Sequence, residues 1–436
     1  MTTGNAGTMN REAELARATR HAASALGLVL CAACGTLDSL LEVEAPSQVE
    51  ASGLNDPGKA PLLVNSVTSN YHCALHFYVL GSGLITDELQ DAEFSSMVDY
   101  DRRSPNPDAG QYGVTTCEVG TLSNSIGMYV PISSARWQAD DVATHLEGWT
   151  DAQVGTNRAA LLALVRAYGG YSLLLLGESF CSMALDAGPE LTRAQVFQQA
   201  EDRFTKALAA AQTANEPESR NLALVGRARA RLNLGKKSDA RADAEQVALG
   251  YTRLVAYSAA AVRRQNRIFV FNNQAGFVTI EPAFRGLQFQ GVPDPRVSVV
   301  NAGRAGNNGV TPLWTQNKYT SQSASIRMAS ATEARLIAAE VTGGQPAVTI
   351  INALHTAANL PAFASSDEAD IQRQVKEERR RELFLEGQRL GDVLRDNIAL
   401  PPPPGSPYPA PLGGVYGGQI CLPLPNSERL NNPNLH

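Results

Sequence analysis

Recognisable catalytic motifs are scarce in this 436-residue chain. It has no G-x-S-x-G elbow and no G-x-x-x-x-G-K-[ST] loop, so the common serine-hydrolase and phosphate-loop chemistries lose their usual anchors. "GRAGNNG", Gly303–Gly309, has glycines but no strand-to-helix setting, which excludes a dinucleotide site. Basic charge is not in excess: 37 Lys and Arg face 43 Asp and Glu, a net of −6. Such a chain has no bulk attraction to nucleic acid or to an anionic membrane. Aromatic residues make up only 6%, with three Trp. No stretch reaches the eighteen or so apolar residues of a membrane span; "YSLLLLG", Tyr171–Gly177, is core-sized. Beyond residue 34 there is no CxxC pair, which argues against a zinc ribbon or a thioredoxin-type site.

The N-terminus carries an export pattern. Met1–Arg20 is polar, with Arg11, Arg17 and Arg20, and Met9 offers a second start. "AASALGLVLCAAC" follows at Ala22–Cys34. Its apolar part spans about 18 Å as a helix, short of a hydrocarbon core of about 30 Å. A basic leader, a short apolar run and small residues before a cut read as a signal peptide over residues 1–33. Ala32-Ala33-Cys34-Gly35 resembles a bacterial lipobox, which makes Cys34 the expected lipidation site. Cys31 stands where a lipobox usually has Leu. Four cysteines then remain: Cys73, Cys117, Cys181 and Cys421. An even count in an exported chain points to disulfides, with three connectivities open. The preferred pairing is Cys73–Cys117 and Cys181–Cys421, the second tying the C-terminal tail to a central helix.

The remainder, residues 34–436, reads as a single, mainly α domain with a few short strands. Helical repeats are expected at about 155–255 and 328–397. Loop-rich insertions are expected at about 50–125 and 260–327, and an irregular tail at 398–436. Arg158–Glu178 has a near-continuous apolar face. Gln195–Ala214 repeats apolar residues at the helical period through Val196, Phe197, Ala200, Phe204, Leu208 and Ala211. Ser219–Tyr251 divides around Gly235, a residue suited to a left-handed C-cap. Small residues such as Gly226 and Ala230 let paired helices approach closely. The unit is similar to a tetratricopeptide hairpin, in an irregular array. Ala331–Val341 and Val348–Ala358 predict another hairpin, broken by "TGGQP". Strand-like pieces are "IFVF" and "GFVTIE". The proline-rich "PPPPGSPYPAP" cannot be helical.

"KEERRRELFLEGQRLGDVLR", Lys376–Arg395, is dense in charge. A nucleic-acid patch would not interleave glutamates, and Glu377 and Glu378 are spaced to meet Arg381. Its succession into a Pro/Gly stretch and the ending "LPLPNSERLNNPNL" resembles the RagB/SusD family of outer-membrane nutrient-binding lipoproteins. Those proteins typically carry E-R-x-x-E-L-x-x-E-G-x-R-x-x-D-L-x-R, matched here by Glu378, Arg379, Glu382, Leu383, Glu386, Gly387, Arg389, Asp392 and Arg395. They close with P-I-P-x-x-E-x-x-x-N-P-x-L, matched by Pro423, Pro425, Glu428, Asn432, Pro433, Asn434 and Leu435. The physical role assigned to the first motif is scaffolding: its charges ion-pair within the repeats and satisfy backbone groups of the tail.

The resemblance implies an SusD-like α-α superhelix and a binding function without catalysis. It implies an oligosaccharide or other small nutrient as ligand, anchoring at the cell surface of the outer membrane, and a TonB-dependent, SusC-like transporter as partner. No cofactor, metal or nucleic acid is expected. The alternative is an envelope scaffold whose repeats bind a protein or peptide. Sugars stack their C–H faces on aromatic rings and offer hydroxyls to Asn, Asp, Gln and Arg. Trp314, beside Gln316, Asn317 and Tyr319, is the leading ligand-facing aromatic, with Tyr71, His72 and Phe77 next. Trp137 falls within a helical pattern and is assigned to the core, and Trp149 ends that helix. "HCALH" places His72 and His76 one turn apart but has Cys73 where a zinc protease needs Glu. Asp87, Glu88, Asp91 and Glu93 are spaced so that two of them could form a glycosidase-like pair, a pattern any acidic loop provides.

Overall fold

The computed structural model describes residues 55–94, 97–108, 117, 126–155, 157–409 and 411–435. The signal peptide and Cys34 lie outside the described residues.

A buried helical stack forms the core. Helix α1, Ala60–Ile85, packs with α2, Tyr129–Gly148, and α3, Arg158–Ser179. Helix α3 is long and apolar enough to cross a membrane by composition alone, yet it sits inside the bundle against α2, α4 (Arg193–Ala214) and α5 (Pro217–Asn233). The segment 50–125, expected to be loop-rich, thus contributes a 26-residue helix, because α1 is apolar on nearly every face over its second half. Its β-branched and aromatic residues had concealed a buried helix.

Local signals set the boundaries. Thr192 caps α4 in a reciprocal box with Gln195. Gly235 has φ +72° and separates α5 from α6, Lys237–Ala244. Glycine also sets helix spacing. The Phe204 ring of α4 lies where side chains on α3 and α5 would otherwise be. A Cβ on Gly170 would meet it at 2.8 Å and one on Gly226 at 2.3 Å.

The strands are short and paired in twos. β1 (Leu89–Asp91) pairs antiparallel with β5 (Val278–Ile280), Gln90 opposite Thr279. β2 (Ser182–Ala184) and β3 (Glu190–Thr192) form a hairpin before α4. β4 (Thr252–Val255) pairs with β8 (Ile326–Ser330). β6 (Val299–Ala305) pairs with β7 (Pro312–Gln316). "IFVF" is helical rather than extended: Asn266 caps it by accepting from the backbone N–H of Ile268 and Phe269.

The C-terminal repeat comprises α7 (Ala331–Thr342), α8 (Gly344–Ala357), α9 (Glu368–Glu382) and α10 (Arg389–Asp396). The charged signature is therefore two helices, not one. It breaks at Leu385, φ +55°, and Gly387, φ +78°. A Cβ on Gly387 would meet the Tyr78 ring at 2.8 Å. The break is fixed on both sides: Leu385 N–H donates to Glu88 at 2.7 Å and its carbonyl accepts from the Tyr319 hydroxyl at 2.9 Å.

The signature charges are interior ion pairs. Arg379 meets Asp392 at 2.8 Å and Glu340 at 3.4 Å. Glu378 accepts from His355 at 2.9 Å and pairs with Arg296, and does not turn toward Arg381. Arg381 instead meets Glu377 at 2.6 Å. Glu386 holds Lys318 at 2.6 Å and Arg327 at 2.8 Å. Backbone satisfaction follows a different route from that expected. Arg380 and Arg381 donate to the carbonyls of Ala283 and Gln288 in the central insertion. The tail's carbonyls at Leu400, Pro402 and Gly413 are met by Arg103 and Arg102.

Both disulfides take the preferred pairing, Cys73–Cys117 and Cys181–Cys421. The second joins the end of α3 to the tail, reinforced by Cys181 N–H to Leu422 O at 2.9 Å and Leu422 N–H to Ser179 O at 2.7 Å. Helix α11, Asn426–Asn431, follows.

Candidate functional site

Trp314 lies in the middle of β7, opposite Asn301 of β6. Its ring is half-buried, and its backbone is held on both sides. Its N–H donates to Thr279 Oγ1 at 2.8 Å, and its carbonyl accepts from Asn272 at 3.0 Å. The Arg285 guanidinium stands over the ring, 5.1 Å from its centre. Arg285 Nε is fixed by the Ile280 carbonyl at 2.7 Å. Burial, the leading cause, lowers the Arg285 pKa from its ordinary value. An aromatic face with a positioned donor and the exposed Asn317 amide nearby has the chemistry to stack a sugar ring and hold its hydroxyls. Arg285 carried no sequence signal beyond its type; its place over the indole comes from the turn after β5.

The remaining residues of the expected site separate. Asn317 is exposed next to this strand and donates to Ser298 Oγ at 3.1 Å. Tyr319 faces inward and is 2% exposed, so it braces the signature break instead of meeting solvent. Gln316 is also interior: its amide donates to Asn273 and to the Tyr319 carbonyl, and its oxygen accepts the Tyr319 N–H. Tyr71 and Phe77 belong to the core of α1, and Tyr71 packs edge-on against Tyr168 with ring centres 5.1 Å apart. These aromatic residues are interior because α1 is a buried helix and not a loop.

His72 alone of the α1 group reaches a cavity, of about 410 Å³, shared with Asn65, Thr68, Tyr257 and Arg264. Its Nε2 lies 3.3 Å from the Tyr168 hydroxyl. Burial first, then Arg253 and Arg264, lowers its pKa to about 4, so the ring is neutral at pH 7. His76 is fully buried and does not share a metal site with it. Among the described residues no group of three or more His, Cys, Asp or Glu is placed to hold a metal ion.

The acidic loop is committed to the fold. Asp87 is paired with Arg389 through contacts of 2.7 and 2.9 Å. Glu88 accepts from Leu385 N–H. Asp91 accepts from the N–H groups of Glu93 and Phe94. Two further carboxylates, the buried Asp101 and the half-buried Glu281, were missed by sequence reasoning. Asp101 accepts from the Tyr408 hydroxyl at 2.7 Å and from Asp91 N–H at 3.0 Å. Burial raises Asp101 to about 7, with Asp91 adding to the shift. Glu281 rises to about 8, through burial first and then the charges of Asp101 and Asp87.

Trp137 corrects the core assignment. The buried residues of α2 are Tyr129, Pro131, Ile132, Ala135, Arg136, Ala139, Val142, Ala143 and Leu146, and Trp137 falls off that stripe. It is 54% exposed. Trp149 is half-buried and stacks on His145, with ring centres 5.5 Å apart.

Residues 310–400 match the model of the SusD family. No curated protein matches the chain. Among solved structures, the fold is similar to a SusD-like carbohydrate-binding protein from Bacteroides vulgatus, at 15% identity and a TM-score of 0.62, covering 87% of this chain and 97% of that one. It is similar to a SusD superfamily protein from Parabacteroides distasonis, at 14% identity and 0.62, covering 87% and 98%. It is also similar to surface glycan-binding protein A from Bacteroides thetaiotaomicron in complex with laminarihexaose, at 15% identity and 0.60, covering 86% and 98%.

Proposed function

We propose that this chain, SusD-like in fold and carrying the SusD family sequence over residues 310–400, is a lipid-anchored glycan-binding protein of the cell surface. It captures an oligosaccharide and passes it to a TonB-dependent, SusC-like transporter in the outer membrane. The observation that carries this reading is the likeness of fold, over 86% of the chain, to a surface glycan-binding protein in complex with laminarihexaose. The Trp314 face supplies fitting chemistry: an indole, a guanidinium and the exposed Asn317 amide beside a strand whose backbone is fixed. The reading requires no covalent step. Anchoring rests on the Cys34 motif, and export is in keeping with the two disulfides.

The test is affinity capture of the membrane-anchored protein followed by mass spectrometry, with calorimetry on laminarihexaose. A stoichiometric TonB-dependent barrel and a saturable glycan isotherm support the proposal. Absence of any barrel removes its transport half, and absence of glycan binding removes the other.

One observation favours the scaffold reading. A groove of about 620 Å³ runs between α4 and α5, with Leu208, Ala211, Arg220 and Leu224 in its walls. Helical repeats bind extended peptides in such grooves. Under that reading soluble envelope proteins, and no barrel, accompany the chain.

A further inference from the structure

We propose a second carbohydrate site, separate from the Trp314 face, built around Trp137 and taking an uncharged pyranose ring. It rests on the reading that the chain binds glycans. Trp137 stands on α2, and the other walls come from the β2–β3 hairpin and from α11. Together they line an open depression of about 310 Å³, at the small end of ligand pockets.

Two observations make this more than an exposed tryptophan. First, the indole is 54% exposed in a concave setting, so a face is free to receive the C–H side of a sugar. Second, the polar rim is pre-set. Arg136 grips Asp186 through two contacts of 2.7 Å, and Tyr129 donates to Glu428 at 2.9 Å. The Asp186 side chain stays 57% exposed, so its carboxylate retains lone pairs for ligand hydroxyls. The Arg136 hydrogen bond holds Asp186 below the usual carboxylate range, which keeps it an acceptor at neutral pH.

The chemistry favours a neutral sugar over a charged ligand. The Asp186 charge is already balanced by Arg136. What remains open is a mixed set of acceptors, hydroxyls and one flat apolar face. The site also differs in position from the first: Trp314 is carried by β7 of the central insertion, Trp137 by the helical stack.

The experiment is calorimetry of the full mature chain with laminarihexaose, maltohexaose, cellohexaose, xylohexaose and mannohexaose. It is run on wild type, Trp137→Ala, Trp314→Ala and the double variant. With the best of these sugars, wild type is expected to show two sites and each single variant one. The double variant is expected to show none. The lost site weakens by about 30-fold or more, and Trp137→Phe restores most of it. Trp137 is on the surface, so circular dichroism and the thermal midpoint of Trp137→Ala should match wild type. Unchanged stoichiometry and affinity in Trp137→Ala, with binding lost in Trp314→Ala, overturns the second site and leaves the glycan function standing. Unchanged glycan binding with loss of a co-purifying barrel in Trp137→Ala also overturns it and assigns the face to protein docking. Failure of wild type to bind any of the five sugars overturns both readings.

Discussion

At the residue scale, the protein holds carboxylates of opposite character. Glu377, Glu378, Asp294 and Asp392 lie beside arginines or His355, which together outweigh the burial that opposes them and lower their pKa values. Their stabilisation is present above the unfolded carboxylate range and is lost as pH falls through the lower folded values. Glu88, Asp91, Asp101, Glu281 and Glu333 behave in reverse. Burial is the leading cause, and their values rise to about 7, 6, 7, 8 and 7. Between the unfolded and folded values the native state binds the extra protons, so their contribution to stability falls as pH rises. Stability should therefore peak in mildly acidic solution and decline toward about pH 8. Glu281→Gln removes one ionisation without changing shape. It should raise stability near pH 8 and change little near pH 4.5, as read by urea unfolding at both pH values. A pH-independent effect would mean that Glu281 is not held protonated.

Trp314 belongs at this scale too. Its backbone contacts survive truncation, and its ring packs under a single guanidinium. Trp314→Ala should weaken glycan binding at this face by about 30-fold or more while costing at most about 2 kcal/mol of stability. Calorimetry and urea titration on one preparation separate the two effects. A large stability loss with unaltered affinity would make the indole a packing residue.

At the scale of elements, close helix approach is the controlling device. Phe204 occupies space that Gly170 and Gly226 leave empty. Gly226→Ala places a methyl 2.3 Å from that ring, and the helices must part or the ring must turn. The expected cost is about 1–3 kcal/mol, the range for overpacked cores. Phe204→Leu in the same chain should recover part of it, since the pair shares one space. The small-residue pattern of this hairpin was legible in the sequence for that reason: a helix period with glycine on the packed face admits few other readings. The paired disulfides and the ion-pairing of the signature charges were legible too, whereas the tail's backbone is met by Arg102 and Arg103 instead. Helix α1 was not. Its apolar residues surround the whole helix, which erases the periodicity that identifies a surface helix. The signature's break was hidden as well, because Leu385 at φ +55° is imposed by Glu88 and Tyr319, partners distant in sequence. Trp137 was misplaced for a simpler reason. A helical pattern establishes that a residue is on a helix, and one residue's shift in register decides between core and solvent.

At the scale of the whole molecule, the tail is the element whose place needs the most explanation. Among its described residues the tail contains one short α-helix, α11, a 3-10 turn at Pro433–Leu435 and isolated bridges, so it has little ladder of its own. It is held by contacts to four distant places. Arg102 and Arg103 meet its early carbonyls, and Tyr408 reaches Asp101. Asn432 and Asn434 donate to the Gly188 and Ala187 carbonyls, and Tyr129 meets Glu428. Cys181–Cys421 closes a span of 240 residues. In the chain-entropy account a link over so long a loop removes much freedom from the unfolded chain, and losing it costs about 2–5 kcal/mol. The hydrogen bonds would then have to order the tail against its own conformational entropy, at about 1–2 kcal/mol per residue. Cys181→Ala/Cys421→Ala should therefore lower the thermal midpoint and open the tail before the helical stack. Limited proteolysis should cut first within 399–425 in the variant and leave a fragment containing α1 to α10. Because α11 supplies Glu428 to the Trp137 cavity, that cavity should lose ligand along with the tail, while the Trp314 face keeps it. If the variant resists protease like wild type, the hydrogen bonds alone suffice to seat the tail. The disulfide would then act on the unfolded chain rather than on local order.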